Sequence, residues 1–145
     1  SRVVRLFCFY PKVAFVSHST FGQPLTSRTK HIRSAVEILK EKKVDFKFDG
    51  DMQPDVALSE EYNELYPFSE IVGNANILIM PGQHSAAISY KMMKTMSGAK
   101  VIGPLLIGLG QPIEIAPLRS STSDILNLAS VAAYSAGVIN YSKKN

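Results

Sequence analysis

The stretch Asn74–Pro112 decides the fold: it begins Asn-Ala-Asn-Ile-Leu-Ile-Met-Pro-Gly-Gln and ends Ala-Lys-Val-Ile-Gly-Pro-Leu-Leu-Ile-Gly-Leu-Gly-Gln-Pro. Its apolar run Ile77–Met80 stops at a Pro-Gly pair, which is typical of a strand buried on both faces. The apolar spacing then predicts a helix over His84–Ser97, which Gly98 ends. Val101–Ile102 predicts a second buried strand. The resulting βαβ unit would place its loops where open α/β sheets bind ligands.

Hydroxyl-rich residues follow the first predicted strand. Lys12–Ser17 has the apolar character of a central strand, and it runs into the loop Ser17–Pro24, which glycine and proline close. Thr26 or Ser27 is placed to cap the next helix, because hydroxyl side chains are favoured before a first helical turn. The apolar residues of that helix recur at the spacing of one buried face, at Ile32, Ala35, Val36 and Leu39.

The middle of the chain predicts further short elements. Val44–Phe48 is expected to form a strand, and Gly50 is expected to turn the chain after it. Pro54 suits a first helical turn, and that helix is expected to continue to about Leu65. Pro112–Ala116 alternates apolar and polar residues, which favours a last strand. The acidic residues near the turn are expected to have structural turn and cap roles: Asp49, Asp51 and Asp55.

A final helix is predicted from about Thr122 to Ile139. Ser121, with Asp124 three residues later, is a variant of the capping box. The apolar face of this helix is narrow and rich in small residues, which fits either a docking surface for a partner domain or an ordinary core helix. Tyr141–Asn145 is expected to be a frayed polar tail.

Length and composition are those of one globular domain with a core of its own. The chain has 145 residues, of which 46% are hydrophobic and 19% charged, so intrinsic disorder is not expected. The net charge is +4, without a block of Lys and Arg interleaved with aromatic residues, so no nucleic-acid partner is expected. An anionic small ligand and a moderately basic surface both fit this charge. No apolar run reaches the roughly 18 residues of a membrane span, so no membrane partner is expected.

Cysteine use and the chain start bear on the compartment. Cys8 is the single cysteine, which excludes an internal disulfide and a cysteine-rich metal site, and a buried inert thiol is the expected state. A cytoplasmic location is expected. The first residues lack an initiator Met and a small-residue cleavage site, so they do not resemble a signal peptide. The chain is interpreted as a piece of a longer protein.

The loop after the first predicted strand carries the first candidate ligand residues. Hydroxyl groups and backbone N–H groups between a strand and a helix can hold an anion at the start of the helix. The alternative is that these residues only form the turn and the cap. The ligand candidates in this loop are Ser17, Ser19, Thr20 and Gly22.

The histidines do not predict a metal site. His18, His31 and His84 contain no pair at a ligand spacing on one helix, and no cysteine supports them, so no metal is expected. Gln83 and His84 stand at the head of a predicted helix, where they are candidates for hydrogen bonds to a ligand. A solvent-facing histidine is the alternative.

Four motifs together resemble the carboxyl-terminal half of the phosphotransacetylase family: Asp49–Leu58 (Asp-Gly-Asp-Met-Gln-Pro-Asp-Val-Ala-Leu), Ala75–Pro81 (Ala-Asn-Ile-Leu-Ile-Met-Pro), Ile88–Tyr90 and Ile102–Pro112. The resemblance covers roughly residues 12 to 140. It implies an α/β fold with three layers, a mostly parallel sheet flanked by helices, as in one half of the isocitrate/isopropylmalate dehydrogenase-like architecture. Residues 1–145 would then be the carboxyl-terminal portion of such a domain, with a core at about 12–118 and a final helix at about 121–140 docking on a missing subdomain.

The stretch Pro117–Ile125 departs from the family at a decisive place. Catalytic phosphotransacetylases typically have Ser-Arg-Gly-x-Ser-x-x-Asp-Ile here, with an arginine that neutralises phosphate and an aspartate proposed to deprotonate the CoA thiol. This chain has Leu118 at the arginine position and Arg119 one place later, while Asp124 stays in register. The resemblance implies that Asp124 is catalytic only in an active acetyltransferase. Arg119 and Ser121 join the ligand candidates, and the loop after the first strand would line the acyl-CoA and phosphate cleft.

The displaced arginine favours another branch of the family. Ile115–Leu118 is similar to the corresponding segment in the phosphotransacetylase-like domain of bacterial NADP-dependent malic enzymes. That resemblance implies acetyl-CoA or CoA as an effector ligand and a part in a homo-oligomer, with NADP and a divalent metal only in amino-terminal domains outside these residues. The fragment alone is then not expected to be catalytic. The alternatives are a phosphate acetyltransferase and an inert oligomerisation module.

Overall fold

The computed structural model describes residues 4, 5, 7 and 9–144, with side chains except at residue 63 and residues 138–144. The prediction for Cys8 lies outside these residues. The named elements are, in chain order, β1 (Lys12–Val16), α1 (Ser27–Glu41), β2 (Lys47–Met52), α2 (Pro54–Leu58), α3 (Glu60–Glu64), β3 (Ile77–Ile79), α4 (Gln83–Met96) and α5 (Thr122–Lys144).

The three strands form one parallel sheet in the order β2-β1-β3, so the predicted central strand is central. Val13 of β1 pairs with Phe48 on one side and with Ile77 on the other. Because all three strands run in the same direction, their carboxyl ends meet at one edge of the sheet, where the loops after Val16, Met52 and Ile79 begin. The predicted α/β fold, a parallel sheet flanked by helices, is confirmed.

Helix α1 crosses from β1 to β2 and packs against β2. Thr26, not Ser27, is its cap. The Thr29 N–H donates to Thr26 Oγ1 at 3.3 Å, and the Thr26 N–H donates to Thr29 Oγ1 at 2.9 Å, which completes a capping box. Val36 is buried on the predicted apolar face of the helix. This crossover is the βαβ unit of the structure.

Strand β2 begins three residues and ends four residues later than predicted, and Gly50 lies within it instead of turning the chain. The acidic residues of this segment argue against a strand in the sequence pattern, because buried carboxylates are rare unless they are paired. Asp49 meets that condition: Oδ1 accepts the Gly50 N–H and Oδ2 accepts the Glu70 N–H, both at 2.8 Å. Gly50 has φ +148°, and a Cβ there would lie 2.6 Å from the carbonyl oxygen of Phe15. Glycine therefore allows β2 to approach β1 closely.

The single helix predicted from Pro54 to about Leu65 is wrong, since it forms as α2 and α3. Ser59 separates them with an extended backbone at φ −119° and ψ 123°. Helix α2 packs against β1 and buries two residues of the core. This core combines residues from β1, β2, α2 and the segment before β3: Ala14, Met52, Val56, Ala57, Ile71 and Ala75.

Two predicted strands are absent from the described part of the chain. Val101–Ile102 and Pro112–Ala116 have no strand partner, and Ile102, Ile113 and Ile115 are exposed. A strand requires a neighbour to satisfy its backbone, and the Gly103-Pro104 pair interrupts the first segment. The predicted βαβ unit that began with β3 therefore does not form. Ile79 at the end of β3 is 41% exposed, so the predicted burial of this strand on both faces is not found.

The chain divides into two compact units, Ser1–Met92 and Met93–Asn145, with the boundary inside α4. Helix α4 matches its prediction in extent, and Gly98 follows its end with φ +63°. None of its residues is buried, so its predicted apolar face is not part of the core. In the second unit the backbone of α5 stays helical to Lys144, so the predicted frayed tail is wrong over Tyr141–Lys144. No described helix has the length and apolar character to cross a membrane.

Candidate ligand cleft

A cleft of about 680 Å³ lies in the first unit, at the carboxyl edge of the sheet. The ends of β1 and β3 supply two of its walls, and the first turn of α1 supplies another. Three predicted ligand residues, Ser17, Gln83 and His84, line it together although they are far apart in the sequence. The parallel sheet explains this, because it brings the loops after β1 and β3 to one edge.

The cleft carries the positive charge of Arg28 and is partly apolar. Arg28 and all three histidines line it, and no acidic residue does so among the lining side chains. The remaining walls are mainly apolar: Val16, Ile32, Pro54, Met80 and Pro81. Neither α1 nor α4 has an acidic residue in its first turn, so the backbone N–H groups there meet no competing carboxylate. Such a cleft can hold an anion that also has an apolar portion.

Sequence reasoning missed Arg28 and His31 as parts of this cleft. Both lie near the start of α1, three positions apart, and therefore on one face of the helix. The signal available in the sequence was that this helix follows the hydroxyl-rich loop directly. Within the described ranges, no group of three or more His, Cys, Asp or Glu side chains is arranged to hold a metal ion.

Hydrogen bonds of the other three ligand candidates in this loop hold the loop against β2 and the residue after it. Ser19 is fully buried and donates its hydroxyl hydrogen to Asp51 Oδ2, and the Gly22 N–H donates to the same oxygen at 3.4 Å. Thr20 Oγ1 accepts the Gln53 N–H at 3.2 Å. Of the four loop residues predicted to bind a ligand, only Ser17 lines the cleft. The three others shape the loop that presents it.

Arg119 and Asp124 line a separate, smaller pocket of about 120 Å³ in the second unit, together with Lys94. The predicted capping box of α5 is present. The Ser121 N–H and hydroxyl donate to Asp124 Oδ2 at 2.9 and 2.8 Å, and the Asp124 N–H donates to Ser121 Oγ at 3.2 Å. The hydrogen bonds from the Ser121 backbone and side chain, with a smaller contribution from the Lys94 charge, lower the pKa of Asp124 against slight desolvation.

Leu118 holds the position where the family pattern has its phosphate arginine, and its side chain is fully exposed. It brings no charge and no hydrogen-bond donor to this pocket. Arg119 supplies the guanidinium from the next position instead. The pocket therefore has cationic groups beside Asp124, in an arrangement that differs from the family pattern by one residue.

The chain belongs to the Phosphate acetyl/butaryl transferase family, which matches residues 1–133. It is 48% identical over 129 residues to an NADP-dependent malic enzyme of Rhizobium meliloti, a match that covers 89% of this chain and 17% of that protein. It is 35% identical over 127 residues to a phosphate acetyltransferase of Clostridium acetobutylicum, covering 87% and 38% respectively.

The structural comparison agrees with the family. A phosphotransacetylase from Streptococcus pyogenes superposes with a TM-score of 0.85 and 32% identity, over 93% of this chain and 41% of that one. The predicted resemblance is thereby confirmed for the family and for the fold. The chain spans less than half of each of these three proteins.

Proposed function

We propose that this chain is the acetyl-CoA-responsive regulatory and assembly domain of an NADP-dependent malic enzyme. The whole protein would oxidise malate to pyruvate and carbon dioxide, and domains outside these residues would hold NADP and the divalent metal. The observation that carries the proposal is Leu118, an exposed apolar side chain at the position of the family's phosphate arginine. Asp124, in register with the acetyltransferase base, has its carboxylate bound by both donors of Ser121 at the start of α5.

The cap of Asp124 does not separate this chain from an active acetyltransferase, because the catalytic pattern of the family has the same Ser-x-x-Asp. The pKa of Asp124 is lowered, because the hydrogen bonds from Ser121 stabilise its charged form. The cap gives Asp124 a sufficient structural purpose at the positive end of a helix.

The positive charge that would bind a phosphate co-substrate is displaced by one residue from its position in the family pattern. Leu118 cannot bind phosphate, and an arginine moved by one position directs its planar guanidinium elsewhere. The displaced arginine therefore weighs against acetyl transfer. It does not weigh against binding of acetyl-CoA.

The cleft of the first unit suits acetyl-CoA as an effector. Its phosphates would meet Arg28 and the histidines, and the apolar parts of its pantetheine arm would lie along side chains such as Ile32 and Met80. The net charge of +4 favours the approach of such an anion. Gln83 and Ser17 supply polar contacts at the walls. Homo-oligomer formation is the remaining part of the proposal.

The test is isothermal titration of acetyl-CoA into the full natural protein, paired with a phosphate-dependent acetyl-transfer assay. We expect saturable binding without acetyl phosphate formation, and a clear loss of affinity in Arg28→Ala. Lys30→Ala is the matched control, since Lys30 lies on the same helix and does not line the cleft. Equal effects of the two substitutions would show that only the overall charge matters.

A phosphate acetyltransferase is the second candidate, and one observation favours it: Lys94, Arg119 and Asp124 line a single pocket. Robust acetyl phosphate formation in the paired assay would establish that activity and return Asp124 to the catalytic base. If neither acetyl-CoA binding nor acetyl transfer is detected, the inert oligomerisation module remains as the function.

A further inference from the structure

A chain of three hydrogen-bonding side chains runs from the cleft into the protein interior. Ser17 lines the cleft, and its Oγ lies 3.2 Å from the Oγ of Ser19. Ser19 donates in turn to Oδ2 of Asp51, which is fully buried on β2. No mechanism of acetyl transfer or effector binding described above uses Asp51.

The hydrogens of this chain run in one direction. A carboxylate accepts hydrogen bonds and donates none, and a serine hydroxyl has a single hydrogen. Since Ser19 gives its hydrogen to Asp51, Ser17 is the donor in the bond between the two serines. Ser17 Oγ also accepts the Ser19 N–H at 3.3 Å. One lone pair on Ser17 Oγ is then its only remaining hydrogen-bonding capacity.

We propose that Asp51 is a positioning residue that turns the Ser17 hydroxyl hydrogen inward, so that Ser17 offers the cleft an acceptor and selects a ligand group with an N–H donor. The inference rests on the proposed binding of acetyl-CoA, whose pantetheine arm carries amide N–H groups. The phosphate oxygens of the ligand are then left to Arg28 and the histidines, because two acceptors cannot form a hydrogen bond with each other.

The contrast with Asp49 supports a purpose other than stability for Asp51. Both oxygens of Asp49 accept backbone N–H groups. Oδ1 of Asp51 is buried and accepts no hydrogen bond from the described residues. A buried, unmatched carboxylate oxygen is unfavourable for folding. Such an oxygen therefore calls for a reason other than stability.

The test compares two ligands in the full natural protein. Acetyl-CoA carries the pantetheine amides, whereas adenosine 3′,5′-bisphosphate carries phosphates and adenine without them. We expect Asp51→Asn and Ser19→Ala each to weaken acetyl-CoA binding about fivefold, the usual worth of one neutral hydrogen bond, and to leave the bisphosphate affinity unchanged. In the Ser17→Ala background, neither substitution should have any further effect on acetyl-CoA binding.

Asp49→Asn is the matched control, because it removes a buried carboxylate from the same strand without touching the serines. Equal losses for both ligands in Asp51→Asn would mean that the loop has only lost its shape, and this result overturns the proposal. A full effect of Asp51→Asn in the Ser17→Ala background also overturns it, because Asp51 would then act without Ser17.

A measurement without ligand separates this proposal from the proposed function. The Ser19 hydroxyl proton, buried and held by a carboxylate, should be protected from solvent exchange in NMR spectra, and Asp51→Asn should remove the protection. A protected proton in a protein that does not bind acetyl-CoA would support the hydrogen-bond direction and overturn the proposed function. An unprotected proton in a protein that binds acetyl-CoA would overturn only the proposal that Asp51 positions Ser17. The proposed function would stand.

Discussion

Ser121 donates two hydrogen bonds to one oxygen of Asp124, from its backbone N–H at 2.9 Å and from its hydroxyl at 2.8 Å. The same serine oxygen accepts the Asp124 N–H. This reciprocal arrangement begins α5 and keeps the carboxylate ionised. Asp124 is the residue that would act as the base in acetyl transfer, and its charge already stabilises the start of this helix.

The cap predicts a pH dependence of stability. The pKa of Asp124 is depressed in the folded protein, so its contribution is fully present above the unfolded pKa and is lost as the pH falls through the folded pKa. We expect Ser121→Ala to raise the pKa of Asp124. The melting temperature of this variant should then fall less steeply as the pH is lowered. An NMR titration of the Asp124 carboxyl measures the shift. Ser123→Ala, in the same turn, is the control and should leave the pKa unchanged.

Thr26 predicts a second, independent capping effect. Thr26→Ala should destabilise the protein by about 1 kcal/mol, because the start of α1 loses its reciprocal bonds with Thr29. Urea denaturation measures the change. Ser27→Ala is the control, since Ser27 is already the first helical residue. A larger loss in Ser27→Ala than in Thr26→Ala would contradict the observed cap.

Gly50 predicts a severe backbone effect. Gly50→Ala should destabilise by about 3 kcal/mol or prevent folding, because the new Cβ would meet the Phe15 backbone at a φ that L-residues rarely adopt. The soluble yield and the thermal midpoint report the outcome. Gly82→Ala is the matched control, since a Cβ there meets no atom within 4 Å. Equal stability of the two variants would contradict the close approach of β1 and β2.

Restoring the arginine of the family pattern at Leu118 is predicted not to restore acetyl transfer. Leu118→Arg restores the arginine of the family pattern on a fully exposed side chain, so stability should change by less than about 0.5 kcal/mol. We expect no acetyl phosphate from this variant, because Pro117 and Arg119 still stand where the family pattern has serine and glycine. The phosphate-dependent transfer assay checks this. Activity in the variant would show that the arginine alone was missing.

Much of the fold follows from local patterns. The cap at Thr26, the helix before Gly98 and the cap at Ser121 all rest on interactions within a few residues. Such features are readable from sequence because their partners are sequence neighbours. The same reasoning failed at β2, where carboxylates sit in a strand because distant backbone groups satisfy them.

The strands predicted at Val101–Ile102 and Pro112–Ala116 failed for a related reason. An apolar run shows that a segment can be a strand, but only a neighbouring strand satisfies its backbone groups. The described sheet consists of β2, β1 and β3, and neither segment forms a strand. Ile79 at the end of β3 is exposed.

The sequence by itself determined the α/β class, the family, the helix caps and the displaced arginine at Arg119, because each depends on residue identity at short spacing. Only the tertiary structure decided which candidates share a cleft. It brought Ser17, Gln83 and His84 together with Arg28, and it turned Ser19 inward to Asp51. The physical reason is the parallel sheet, which places the ends of strands distant in sequence at one edge and fills the interior behind them.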